Sequence, residues 1–287
     1  KPIHAQENTG TGAIQVSGGT FSDPVDPAYC ANGFIPTSTT KDGVTTYGVV
    51  KGSNVASVTT ADGVETEYAT LAAAVAAAKD GAIIKLLKDF TTDATKTADS
   101  DRLTVNKDVT LDLNGYTMTI PGELEDSSNW AAFYITGGTM TVKDSSEEQK
   151  GAIIGANKTI ENPKYKGGVY LFDVNNGAAL VIENGTYYAG GTVVQVTKGT
   201  ATIKGGTFSV YPDIGTNDSR YILNCIDAAY TNGTAKIIVN GGTFTGYDPR
   251  NNTAEGANTS FVAEGVGVDA NSDGTFTAKP GMVAQII

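Results

Sequence analysis

The sequence predicts an all-β protein whose short strands stack coil upon coil, with one helix near the start of the stack. Three observations carry this prediction. A short apolar run, a glycine pair, a threonine and an aromatic recur, as Ile-Gln-Val-Ser-Gly-Gly-Thr-Phe at 14–21, Ile-Lys-Gly-Gly-Thr-Phe at 203–208 and Ile-Ile-Val-Asn-Gly-Gly-Thr-Phe at 237–244. Looser copies stand at 109–116 (Val-Thr-Leu-Asp-Leu-Asn-Gly-Tyr) and 180–187 (Leu-Val-Ile-Glu-Asn-Gly-Thr-Tyr). The spacing suits a solenoid: Thr186 to Thr207 is 21 residues and Thr207 to Thr243 is 36, the longer coil carrying an inserted loop. An antiparallel sandwich does not require the same bend at every turn.

Each copy alternates apolar and polar residues, the pattern of a strand with one face inward. The Gly or Asn-Gly then bends the chain. A second alternating run follows in each coil: 132–135, 169–174, 193–196 and 221–226. In-register stacking puts Ile182, Ile203 and Val239 one above another inside, and likewise Tyr187, Phe208 and Phe244. A stack exposes its ends, so each needs a cover. For the first end, Tyr68 to Gly81 is the one strong helix signal. Thr70 is its N-cap, Gly81 its stop, Lys79 lies near its C-terminus, and Leu71, Ala74, Val75 and Ala78 share one face.

For the other end, the landmarks after Phe244 are Asp248-Pro249, Ala263-Glu264-Gly265, Asp273-Gly274 and Phe276. The same order follows Phe21: Asp23-Pro24, Ala31-Asn32-Gly33, Asp42-Gly43 and Tyr47. The offsets are 223 (Gly18 to Gly241), 232 (Gly33 to Gly265) and 231 (Gly43 to Gly274). Residues 13–50 therefore read as the last coil and closing hairpin of a preceding module. The expected division is 1–57 as that tail and 58–287 as one complete module, with adjacent copies in the parent chain.

The run Tyr68 to Thr91, with Val109 to Tyr116 and the Gly-Gly-Thr-Phe turns, resembles the right-handed parallel β-helix proteins of the pectin-lyase-like superfamily. It is also similar to repetitive cell-surface proteins of gut Firmicutes and related bacteria. The resemblance spans roughly 58–287. It implies a right-handed parallel β-helix with a short N-terminal capping helix and a C-terminal closing hairpin, located outside the cell on a bacterial surface. It does not imply one activity, because that fold carries lyases, hydrolases, adhesins and stalks.

The enzymes of that superfamily use acidic clusters, or calcium-binding Asp groups with a basic proton acceptor. No Asp-Asp pair occurs here, and the one histidine, His4, stands in a polar N-terminal stretch. Arg102, Arg220 and Arg250 read as loop residues. Asp99 and Asp101 are the nearest approach to a carboxylate pair and sit in a polar loop. Asp112, Asp173 and Asp227 read as outward-facing strand residues. Nucleophilic triads lack a usable His, and the glycines have no phosphate-loop context. The reading is non-enzymatic, with no catalytic residue, cofactor or metal.

The net charge of −11 argues against nucleic acid as a partner, and no apolar run is long enough to insert in a membrane. Residues 1–12 lack the apolar core of a secretory signal. Cys30 and Cys225 are too few for a disulfide framework and read as two buried thiols. Asn-x-Ser/Thr triplets at Asn157, Asn184, Asn232, Asn251 and Asn258 follow from composition, and Asn184 sits at a coil corner where it can bond backbone.

Inserted loops are expected at 121–131, 144–168, 211–220 and 245–260. They carry Trp130, Tyr165, Tyr211 and Tyr247, the candidate ligand-binding residues, since aromatics on loops suit protein hot spots or sugar stacking. The bland alternative is packing: Trp130 as the start of a strand, Tyr211 and Tyr247 as turn residues. The reading is an adhesin module that binds a host protein, such as immunoglobulin or mucin, or a glycan. A stalk or spacer is the alternative, and a polysaccharide lyase or glycoside hydrolase ranks below both.

Overall fold

The computed structural model describes residues 14–26, 29–31, 33–41, 43–52, 54–92, 102–120, 131–155, 169–211, 220–252, 254–256 and 259–281. Three strands come first: β1 (Thr20–Phe21), β2 (Phe34–Lys41) and β3 (Val44–Lys51). Next are β4 (Ala56–Thr59), β5 (Glu65–Tyr68) and α1 (Leu71–Ala77). The first circuit is β6 (Ala82–Leu86), β7 (Phe90–Thr91) and β8 (Leu103–Asn106). The second is β9 (Val109–Asp112), β10 (Thr117–Thr119) and β11 (Ala131–Gly137). The third is β12 (Thr139–Lys143), β13 (Ala152–Ile154) and β14 (Tyr170–Val174). The fourth is β15 (Ala178–Ile182), β16 (Thr186–Ala189) and β17 (Val194–Val196). The fifth is β18 (Gly199–Ile203), β19 (Thr207–Val210) and β20 (Leu223–Cys225), followed by α2 (Asp227–Thr231). Then come β21 (Ala235–Val239), β22 (Gly242–Thr245), β23 (Val266–Ala270) and β24 (Thr275–Pro280).

The protein is mostly β, and its central sheets are parallel. Every third strand joins the same sheet, so each circuit adds one strand to each of three walls. The first wall contains β6, β9, β12, β15, β18 and β21; the second, β7, β10, β13, β16, β19 and β22; the third, β8, β11, β14, β17 and β20. Each circuit thus has three strands where sequence patterning indicated at least two. The strands that contain Val109, Leu180, Ile203 and Ile237 all pair parallel with their neighbours.

Register follows the repeat. Ile182, Ile203 and Val239 are in-register partners and are fully buried. Tyr187, Phe208 and Phe244 stack inside the second wall, with ring centroids 5.2 and 5.1 Å apart. The glycine pair has two separate physical causes. A Cβ at Gly205 would lie 2.4 Å from the Glu183 carbonyl oxygen, and one at Gly241 would lie 2.3 Å from that of Lys204. The first glycine therefore lets one corner approach the circuit beneath it. The second, Gly206 or Gly242, adopts φ of +106° or +112°, which side chains with a Cβ rarely tolerate.

Antiparallel strands extend the first wall at one end of the stack and the second wall at the other. At one end β4 pairs with β6 and β5. α1 buries Leu71, Ala74 and Val75 and touches β4, β5 and β8, so it lies across this end. Thr70 caps it as expected, its hydroxyl accepting from the Ala73 N–H at 3.1 Å. Its C-terminus differs from expectation. The helix stops at Ala77, and Lys107 from the next circuit donates to the Ala78 carbonyl at 2.7 Å, the role assigned to Lys79. The boundary drawn between 57 and 58 falls inside β4. At the other end β24 pairs with β22, and β23 pairs outside it.

Two carboxylates and an amide hold the corner between the first and second walls. Asp112 is buried, correcting its outward assignment, and accepts from the N–H groups of Asn114 and Ser145 at 3.0 Å. Asp144, which sequence reasoning did not single out, is buried and accepts from Gly115, Ser146 and Gly151 N–H at 2.8, 3.0 and 2.5 Å. Burial works to raise its carboxyl, but these bonds outweigh burial and hold it below the usual range. Asn184 bonds backbone as expected: it accepts from Asp144 N–H at 2.6 Å and donates to the Asp144 carbonyl at 2.9 Å. Asp227 is not on a strand but opens α2, and it is exposed. Cys225 is buried, which pushes its thiol up to about 12, whereas Cys30 is only half-buried.

Candidate functional site

The long connections leave the second wall at one corner. The chain passes from the second wall to the third between β7 and β8, β10 and β11, β13 and β14, and β19 and β20, and it leaves β22 at the same corner. The departure points are stacked by backbone hydrogen bonds, from Thr92 N–H to Thr119, Ile120 to Ile154, Gly155 to Tyr188 and Tyr211 to Ala189. The expected insertion at 144–168 is not one loop. Residues 144–151 turn the corner between the first and second walls, β13 follows, and the connection to β14 begins at Gly155. The fourth circuit turns the loop-bearing corner in only four residues, Gly190 to Val193, and all four are buried.

Of the four aromatics assigned to a binding role, Trp130 and Tyr165 lie outside the described residues, as do Asp99, Asp101 and His4. Tyr211 stands at the corner, half-buried, its ring stacked on that of Tyr188 with centroids 4.0 Å apart. Arg220 donates to the Tyr211 carbonyl at 3.1 Å. Tyr247 packs edge-on against Phe244 at 5.9 Å and is part of the core boundary. Burial, and then Glu255, push its phenol well above the usual range. The bland reading of Tyr247, turn packing, is where the structure places it.

Beyond that corner, the third wall presents an in-register row that sequence reasoning did not assemble: Thr104, Tyr134, Asp173, Gln195 and Asn224. These residues alternate with the inward Phe133, Phe172 and Val194, so period-two patterning was the available signal. At roughly 4.8 Å per strand the row extends about 19 Å. The Arg102 guanidinium lies 5.2 Å from the Tyr134 ring centroid, and Asn175 donates to the Tyr134 hydroxyl at 3.0 Å. Thr197 donates to Asp173 at 2.7 Å, yet burial dominates and raises the Asp173 carboxyl. Asn224 donates to the Gln195 side-chain oxygen at 2.8 Å. The Gln195 amide nitrogen is buried without a hydrogen-bond partner among the described residues, a donor that a bound acceptor would satisfy. Asp173 is the one carboxylate in the row.

Neighbouring the corner, Arg250 grips Asp248 at 2.9 and 2.8 Å, and hydrogen bonding to Arg250 lowers that carboxyl. Glu255 accepts from Cys225 N–H at 2.6 Å, and burial raises its carboxyl. Among the described residues, no helix is long and apolar enough to cross a membrane. No family model, curated protein or solved structure matches the chain.

Proposed function

We propose that this protein is a non-catalytic recognition module, a right-handed parallel β-helix that displays loops along one edge to bind a host protein or glycan outside a bacterial cell. The observation that carries the reading is that the long connections depart from one corner, their first residues stacked by backbone hydrogen bonds. A scaffold that only spaces two points needs no such asymmetry, whereas recognition gains from several polar loops held side by side on rigid walls. The polar row with Tyr134 and Gln195 extends the same face, and Tyr188 with Tyr211 adds a half-buried aromatic pair at its margin. Hydrolysis of glycosides ordinarily draws on two carboxylates placed across one bond. Asp173 stands alone in its row, which supports binding over turnover. The surface location and the host partner rest on the resemblance of the Tyr68–Thr91 run and the glycine-pair turns to surface β-helix proteins.

The test is a pull-down of the full chain against serum and mucosal proteins, run beside a glycan array. The expected result is a saturable partner whose capture falls at least tenfold in Tyr134→Ala or Gln195→Ala and is unchanged in Lys236→Ala on the first wall. Capture equally sensitive to Lys236→Ala, or turnover of pectin, alginate or mucin glycans, would overturn the reading.

A further inference from the structure

The N-terminal sheet repeats the pairing order of the C-terminal closing unit. Val16 bridges Cys30 in parallel as Val239 bridges Val262. Val16 N–H donates to Tyr29 and Ala31 N–H to Val16, matching Val239 to Phe261 and Ala263 to Val239. β1 pairs antiparallel with β3, which pairs with β2, in the order of β22, β24 and β23. Gly52 N–H closes on the Gly33 carbonyl at 2.9 Å, and Gly281 closes on Gly265 at 3.0 Å.

What differs is the layer underneath. The edge of β22 facing away from β24 pairs with β19, whereas the matching edge of β1 is unpaired among the described residues. Ile237, Val239, Phe244 and Phe261 are buried, but their counterparts Ile14, Val16, Phe21 and Tyr29 are only half-buried. The first glycine of the motif makes the same point. A Cβ at Gly241 would strike the circuit below at 2.3 Å, while at Gly18 the nearest atom in reach is 3.9 Å away. Gly18 meets no such neighbour, although its role elsewhere in the chain is to let a preceding circuit approach.

We infer that the edge of β1 turned away from β3 and the face formed by Ile14, Val16 and Phe21 dock a circuit of the kind formed by β18 and β19, supplied by a second copy of this architecture that precedes this segment in the same polypeptide. The occupant is set by continuity with an interface already present, since β21 and β22 sit on β18 and β19 through matching residues. The chain is on this account one link in an array, each closing hairpin leading within a few residues into the β4–α1 cover of the next module. The inference does not depend on what the loop-bearing corner binds.

The test uses the full chain and a two-copy chain in which residues 54–235 are joined ahead of Ala13. In a Cys30→Ser background, a thiol at Val16→Cys should label freely in the single chain. In the two-copy chain it should be protected about a hundredfold, as Val239→Cys is in either. Equal labelling of Val16→Cys in a folded two-copy chain would overturn the inference. A second measurement needs no fusion: Gly18→Ala should leave the melting temperature of the single chain unchanged, while Gly241→Ala lowers it. A comparable loss from Gly18→Ala would show that this glycine serves a local contact and would overturn the inference as well.

Discussion

Replacing Phe208 by alanine tests the stacked core most directly. The side chain is fully buried, 5.2 Å from the Tyr187 ring and 5.1 Å from Phe244, at interplanar angles of 13° and 15°. Truncating a core phenylalanine costs about 3–5 kcal/mol, of which each lost aromatic pair accounts for about 0.5–1.5. The cost depends on whether neighbours can close over the void. Here they are held apart, because Thr186, Thr207 and Thr243 fix three consecutive circuits in register through the second wall. The expected loss is therefore about 4 kcal/mol. In urea, with a slope near 3 kcal/mol per molar, the midpoint should fall by roughly 1.3 M with the slope unchanged. Phe21→Ala is the internal control, since the same motif there is half-buried; its cost should be about 1 kcal/mol. A Phe208→Ala midpoint within about 0.3 M of the parent would refute the assigned packing.

Other perturbations reach other layers. Ile203→Asp places an unpaired charge between Ile182 and Val239 and should cost several kcal/mol by thermal or urea melting. Asp144→Ala strands three backbone donors, of which that of Gly151 is buried, and should cost about 2–3 kcal/mol at neutral pH. Because the folded Asp144 carboxyl is depressed, its contribution is complete above the unfolded value near 4, and melting curves should show it lost as pH falls through the lower folded value. Asp173 has the opposite sign: burial raises its folded carboxyl, so ionisation weakens the fold as pH rises through that window. Asp173→Asn should raise the melting temperature at pH 7, and the gain should vanish below about pH 4, where both states are protonated. Gly205→Ala forces a Cβ onto the Glu183 carbonyl and should cost at least about 2 kcal/mol in the same assay.

The repeat and its register were legible in the sequence because each is a local demand made many times. An inward side chain must meet its counterpart about 4.8 Å away, so Ile182, Ile203 and Val239 must match, and a corner that touches a carbonyl must be glycine wherever that contact recurs. The helix over 71–77 was legible for a similar reason, since Thr70 and the apolar face lie within one short window. Matching landmarks also led the sequence to read 13–50 as a closing unit, and β1, β3 and β2 pair in the order of β22, β24 and β23. What the sequence did not decide is which features from different circuits share a place. The row from Thr104 to Asn224 is dispersed along more than a hundred residues, and only the stacking of walls brings its members to one face. Whether a polar side chain is buried is decided in the same way. Asp112 and Asp144 look like ordinary surface carboxylates in sequence, but neighbouring circuits bring backbone N–H groups to them, and those donors make burial tolerable. Tyr247 reads as a loop aromatic until the final circuit folds it against Phe244. Local patterning specifies the repeating unit, whereas contacts between units exist only once the units are stacked.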